Sequence, residues 1–128
     1  MFLIKNYVAP STIHGNGAFA AAPIAAGTLV WRFDERLDLV FTPEVHAGLD
    51  PIFKDFIRSY GYLDRDLNIY VVSADNSRFI NHSSSPNLVS RGREDFALRD
   101  IAAGEEILSD YTEFDSLFTT EKNAHFTH

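Results

Sequence analysis

The chain has 128 residues, 45% of them hydrophobic and 13% aromatic, enough for one packed domain and too little for a second. Eleven Lys and Arg stand against 18 Asp and Glu, a formal charge of -7, which is the wrong sign for direct nucleic-acid binding and better matched to a basic partner. The absence of cysteine excludes disulfides, thiolate zinc sites and a cysteine nucleophile. No apolar run reaches the length of a signal-peptide core or a membrane span, so a soluble, cytoplasmic protein without membrane contact is expected.

Taken in chain order, Leu3 to Ala9 has the character of a short strand running into the turn-rich stretch His14-Gly15-Asn16-Gly17. Pro23 and Gly27 break the small apolar segment Ala18 to Ala26, and Thr28 to Phe33 reads as a second strand, with Leu37 to Phe41 as a third. Thr42-Pro43 and Asp50-Pro51 each set a capping side chain before a proline, the pattern of a helix start. In the second helix Ile52, Phe53, Phe56, Ile57 and Tyr60 share one face, and Gly61 is its stop. Leu67 to Val72, Phe96 to Ile101 and Glu106 to Tyr111 complete the strands, the last two joined by a turn at Ala103-Gly104. The fold expected is mainly β with short helices.

Gly15-Asn16-Gly17-Ala18-Phe19-Ala20 fits the dinucleotide fingerprint formally, with Glu35 about twenty residues on. That fingerprint needs a long helix directly after the glycines, which Pro23 and Gly27 forbid. Glu105 and Glu106 are adjacent on an extended segment and point to opposite faces, so they are read as turn and edge residues and not as an acid and base pair. His125 and His128, without a carboxylate or cysteine framework, read as a frayed tail, and no metal is expected.

The densest polar signal is Arg78-Phe79-Ile80-Asn81-His82-Ser83-Ser84-Ser85-Pro86-Asn87. By composition it is a loop. By order it resembles the signature of the SET-domain family of protein lysine methyltransferases, with Ser84 where cysteine is usual. His14 to Ala20 is similar to that family's first motif, with Asn16 in place of the usual tryptophan, and Gly104-Glu105-Glu106-Ile107-Leu108-Ser109-Asp110-Tyr111 to its last.

The resemblance implies a β-clip fold of small sheets, with a C-terminal pseudoknot in which the last motif crosses the chain that holds Asn81 and His82. A single domain over residues 1–128 is expected, with its motifs within 15–111 and a tail over 112–128 that closes the site. The implied cofactor is S-adenosyl-L-methionine, entering opposite a protein or peptide lysine, and the basic partner favoured by the charge fits such a substrate. Carried over residue by residue, Gly15, Asn16 and Gly17 would hold the methionine part of the donor by their backbone. Asn81 would bind by its side-chain amide, and His82 by its backbone to the adenine. Tyr111, the central catalytic side chain, would stand beside the sulfonium at the inner end of the lysine channel.

Phe33 occupies the place of a channel aromatic in relatives, a core position being the alternative. Tyr62 and Phe114 are further channel candidates and Tyr60 a weaker one, while Phe118 or Phe114 would stack on the adenine. The short tail leaves closure of the channel to itself or to a second subunit, so a homodimer belongs among the expectations. Two other readings stay open: a non-catalytic SET module that binds basic peptides, and a methyltransferase for a small amine.

Overall fold

The computed structural model describes residues 1–117, so Phe118 and the His125 and His128 pair lie outside the described residues. The chain is mainly β with short helices. Strand β1 (Asn6–Pro10) pairs antiparallel with β2 (Asn16–Ala20), and β3 (Leu29–Arg32) follows. After β4 (Asp38–Phe41) come α1 (Pro43–Ala47), α2 (Pro51–Tyr60), β5 (Gly61–Leu63) and β6 (Tyr70–Ser73). A 3-10 turn over Asn76–Phe79 leads into β7 (Asn81–His82), then β8 (Leu88–Arg91), β9 (Glu94–Ala97) and β10 (Leu108–Ser109), and a second 3-10 turn covers Tyr111–Glu113.

Two antiparallel three-stranded sheets have the orders β3-β9-β8 and β4-β6-β5, while β10 pairs with β7 in parallel. The core lies between these sheets and the β1-β2 ribbon, where Ala18, Ala20, Ile24, Val30, Leu88, Ile101 and Ile107 are buried together. Parallel pairing of two-residue strands leaves few ladder bonds, so side chains must complete the hydrogen bonding of the crossing. Asn87 does so: its Oδ1 accepts from the Leu108 amide at 2.8 Å, and its Nδ2 donates to the Glu106 carbonyl at 2.7 Å and to Glu105 Oε2 at 3.2 Å.

The helix starts obey the capping pattern, since Thr42 Oγ1 accepts from Val45 N and Asp50 Oδ1 from Phe53 N. The expected apolar face of α2 is only partly covered: Ile57 is buried, whereas Ile52 is 82% exposed and Phe53 and Phe56 stay accessible. Gly61 ends α2 because β6 runs against it. A Cβ there would lie 2.6 Å from the Val71 carbonyl oxygen and 2.9 Å from that of Ile57. Close backbone approach, rather than a left-handed conformation, sets the requirement for glycine.

Several strand boundaries shift from the sequence reading. The expected strand Phe96 to Ile101 sits at Glu94–Ala97, which carries Asp95 and Ala97 inward and leaves Phe96 on the other, half-covered face. Leu67 and Asn68 belong to a turn in which Asn68 takes φ 53 and Asp64 accepts the amides of Asp66 and Leu67, so β6 begins only at Tyr70. Asn16–Ala20 is a strand that takes in the end of the expected turn and the start of the small apolar segment, and the segment expected as strand over Glu106 to Tyr111 keeps only Leu108–Ser109.

Replacing Asn87 by Ala orphans the Leu108 amide and the Glu106 carbonyl in the interior. Each such loss costs about 1–3 kcal/mol, so Asn87→Ala is expected to lower the unfolding free energy by roughly 2–5 kcal/mol in urea titration.

Candidate active site

The first wall of the site is the loop between β1 and β2. Gly15 takes φ 45, a left-handed conformation open to glycine, and its carbonyl accepts from Ser11 N at 2.8 Å. The loop therefore folds back on itself and presents the His14 and Asn16 carbonyls to Asn81, whose Nδ2 donates to them at 3.0 and 3.2 Å. The same nitrogen lies 3.0 Å from Glu106 Oε2, and the Ser11 hydroxyl meets both Glu106 oxygens at 2.8 and 2.9 Å. Gly17 has no space for a side chain because Glu106 fills it: a Cβ there would be 2.8 Å from Glu106 Cδ.

Glu105 and Glu106 do point apart, as an extended pair must. Glu105 faces Arg99 at 2.6 Å and Asn87, and those hydrogen bonds hold its carboxyl below the usual range. Glu106 is no mere edge residue. It joins the first motif to the second, a role hidden in the sequence because Ser11 lies 95 positions away.

β7 places Asn81 and His82 in sequence, and pairing with β10 brings Tyr111 across them. The Tyr111 amide donates to His82 Nδ1 at 3.1 Å, which makes that nitrogen an acceptor and keeps the ring neutral. Burial holds the His82 pKa down against the nearby Asp110, in agreement with that tautomer; the 3.8 Å separation from Asp110 Oδ1 would be an ion pair only for a protonated ring. The Tyr111 hydroxyl donates to the Ile80 carbonyl. Burial, with Asp115 and Glu106 adding, pushes the Tyr111 phenol well above its ordinary pKa, so it is neutral across the physiological range.

On the other side of Tyr111 opens a cleft of about 670 Å³, including the space at its mouth. Tyr62, Phe114 and Tyr111 line it, and their rings interlock: Tyr62 meets Phe114 edge to face at 5.1 Å and Tyr111 lies 5.7 Å from Phe114. Trp31 and Tyr60 line it as well. Trp31, the single tryptophan, was missed by motif reading. Phe33 is absent from the lining and packs half-buried against the core, the alternative its position carried.

The sheet β3-β9-β8 forms one side of this cleft. Trp31, Asp95 and Ser90 are register partners across its three strands, so their side chains stand on the same face, and all three line the cleft. Asp95 is 8% exposed, and burial lifts its pKa to about 6 although the Ser90 hydroxyl donates to Oδ1 at 2.6 Å. Burial likewise pushes the Tyr62 phenol upward, with Asp95 the leading charge in the same direction.

A family model described as SET domain matches residues 15–112. Among solved structures, the chain is similar over 89% of its length to a humanized mutant of the Chaetomium thermophilum Polycomb Repressive Complex 2 bound to the inhibitor GSK126, at 26% identity and TM-score 0.64, covering 16% of that chain. It is similar over 84% of its length to an active polycomb repressive complex 2 in the basal state, at 25% identity and TM-score 0.63, covering 15% of that chain. The chain thus spans less than a fifth of those neighbours. Comparison with curated proteins finds no match.

A carboxylate on a central strand facing an aromatic cleft carries an energetic cost when ionised, and Asp95→Asn removes it. The folded pKa near 6 lies above the ordinary 3.8, so the folded state holds the proton more tightly than the unfolded chain. The cost is complete above about pH 6, amounts to about 3 kcal/mol for a shift of about two units, and vanishes as pH falls to the unfolded value. Asp95→Asn is accordingly expected to be more stable than the parent at pH 7.5, with the difference closing near pH 4 in parallel urea titrations.

Proposed function

The chain belongs to the SET-domain family, and on that premise we propose that it is an S-adenosylmethionine-dependent methyltransferase acting on the ε-amine of a protein lysine. The observation that carries this reading is the position of Tyr111, buried where the loop, β7 and the aromatic cleft meet. The cleft offers an extended alkyl-ammonium chain aromatic walls, which suit a cation by cation–π attraction. The fold's neighbours are parts of polycomb complexes, which supports a protein substrate over a small amine.

The residues around Asn81 fit the donor's chemistry. S-adenosylmethionine carries an ammonium and a sulfonium, and the carbonyls of His14 and Asn16, the Glu106 carboxylate and the Asn81 Oδ1 are acceptors for the first. The buried Nδ1 of His14 in this loop has no hydrogen-bond partner among the described residues. Gly15, Asn16, Gly17, Asn81 and His82 would therefore hold the group. When bound it supplies an electrophilic methyl group.

Tyr111 does not serve as a base, because its phenol is neutral and held above its ordinary pKa. Its hydroxyl and the Ile80 carbonyl form a fixed polar point in the cleft, which orients the lone pair of an incoming amine. Trp31, Tyr62 and Phe114 exclude water, and a lysine ammonium deprived of water gives up its proton to solvent more readily. The cleft would thus present an amine neutral and aligned for a bound donor, and the rings would suit a methylated product, which is again a cation.

Two variants separate binding from chemistry. Tyr111→Phe is expected to keep donor affinity within about threefold in calorimetry and to lower turnover about 100-fold or more, the scale of losing a fixed polar group at the reacting centre. Asn81→Ala is expected to weaken donor binding by about tenfold or more. Unchanged turnover in Tyr111→Phe refutes the role given to that residue.

A further inference from the structure

β9 is the central strand of its sheet, and alternation gives its inward positions to Asp95 and Ala97. Ala97 packs in the core as expected. Asp95, by contrast, buries a carboxylate beside Trp31, where an apolar side chain would be cheaper. Two other carboxylates of the cleft lining accept backbone amides: Asp64 Oδ1 takes those of Asp66 and Leu67, and Asp115 Oδ1 takes those of Leu63 and Leu117. Asp95 has one donor, the Ser90 hydroxyl on Oδ1. Its Oδ2 has no protein donor among the described residues and opens on the cleft rather than on a sealed interior.

The chemistry such an oxygen lacks is a cation's N–H. The two arginines that line the same cleft are engaged elsewhere or displaced outward. Arg78 lies 4.6 Å over the Phe79 ring and donates to the Ala74 carbonyl, and Arg93 is solvent-exposed. A cation that enters the cleft meets the Asp95 carboxylate beside its register partner Trp31, with Tyr62 in the same lining, a combination of ion pair and π-face that selects a charged nitrogen on an apolar stem.

We propose that Asp95 is the substrate-recognition carboxylate of the cleft, receiving the ammonium of an unbranched alkyl side chain against Trp31 and Tyr62. The inference rests on the methyltransferase reading for the identity of that side chain as lysine, and on the sheet register alone for the binding of an alkylammonium. Asp95 acts in docking and not in proton removal, since an ionised carboxylate stabilises the charged amine; the proton is lost to solvent before the amine is aligned at Tyr111.

Trp31 is the only tryptophan and lies across from Asp95 in the register, so its fluorescence reports occupancy of this wall directly. The probes are n-butylammonium and its neutral counterpart 1-butanol, titrated into the full chain at pH 7.5 without methyl donor. The parent is expected to prefer the ammonium by about tenfold, the scale of a charge-assisted hydrogen bond. Asp95→Asn, which keeps an acceptor for Ser90, is expected to bring the two probes within about threefold, while Glu94→Gln on the opposite face keeps the preference. No preference in the parent, its survival in Asp95→Asn, or equal loss in Glu94→Gln overturns the inference. Because no methyl transfer is read, a preserved ammonium preference in a chain inactive on lysine counts against the methyltransferase reading alone.

Discussion

The structure depends on how a short crossing of the chain is kept hydrogen-bonded. β7 and β10 have two residues each, too few to satisfy their backbones by pairing alone. Asn87 and Asn81, both nearly fully buried, supply the missing partners from the two ends of one segment. Asn87 holds the Glu106 to Leu108 backbone, and Asn81 gathers the His14 and Asn16 carbonyls with the Glu106 carboxylate. Two amides thus bring three distant stretches of sequence to one point, and Tyr111 follows directly from it.

That junction divides the molecule into two chemical environments. Toward the loop the groups are acceptors: carbonyls, a carboxylate and an imidazole nitrogen turned inward by the Tyr111 amide. Toward the cleft they are interlocked rings with buried carboxylates behind them. Both environments favour cations and neither supplies a strong base, which fits a displacement that needs alignment and desolvation more than proton transfer. The Tyr111 side chain is the element common to both.

What the sequence revealed and what it hid divide along the same physical line. Local rules held where the interaction is local: Thr42-Pro43 and Asp50-Pro51 start helices because cap and helix lie within three residues. The motif reading placed Asn81, His82 and Tyr111 together, and the parallel pairing of β7 with β10 brings them into contact. It missed Ser11 with Glu106, whose bond spans 95 positions, and Asp95, whose inward orientation follows only from a strand beginning at Glu94. Hydrophobic periodicity also misled at α2, where Ile52 and Phe56 share the apolar face yet remain exposed while Ile57 is buried and Phe53 meets Phe41 of β4 edge to face. Phe33 went to the core for a related reason: it lies just past β3, beyond the row of side chains that faces the cleft.

The most direct measurement is to incubate the chain with methyl-labelled S-adenosylmethionine and a mixture of histones and basic peptides, and to locate the label by fragment mass spectrometry. The account predicts label on lysine ε-nitrogen. Measurable donor binding with no label on any lysine would contradict it.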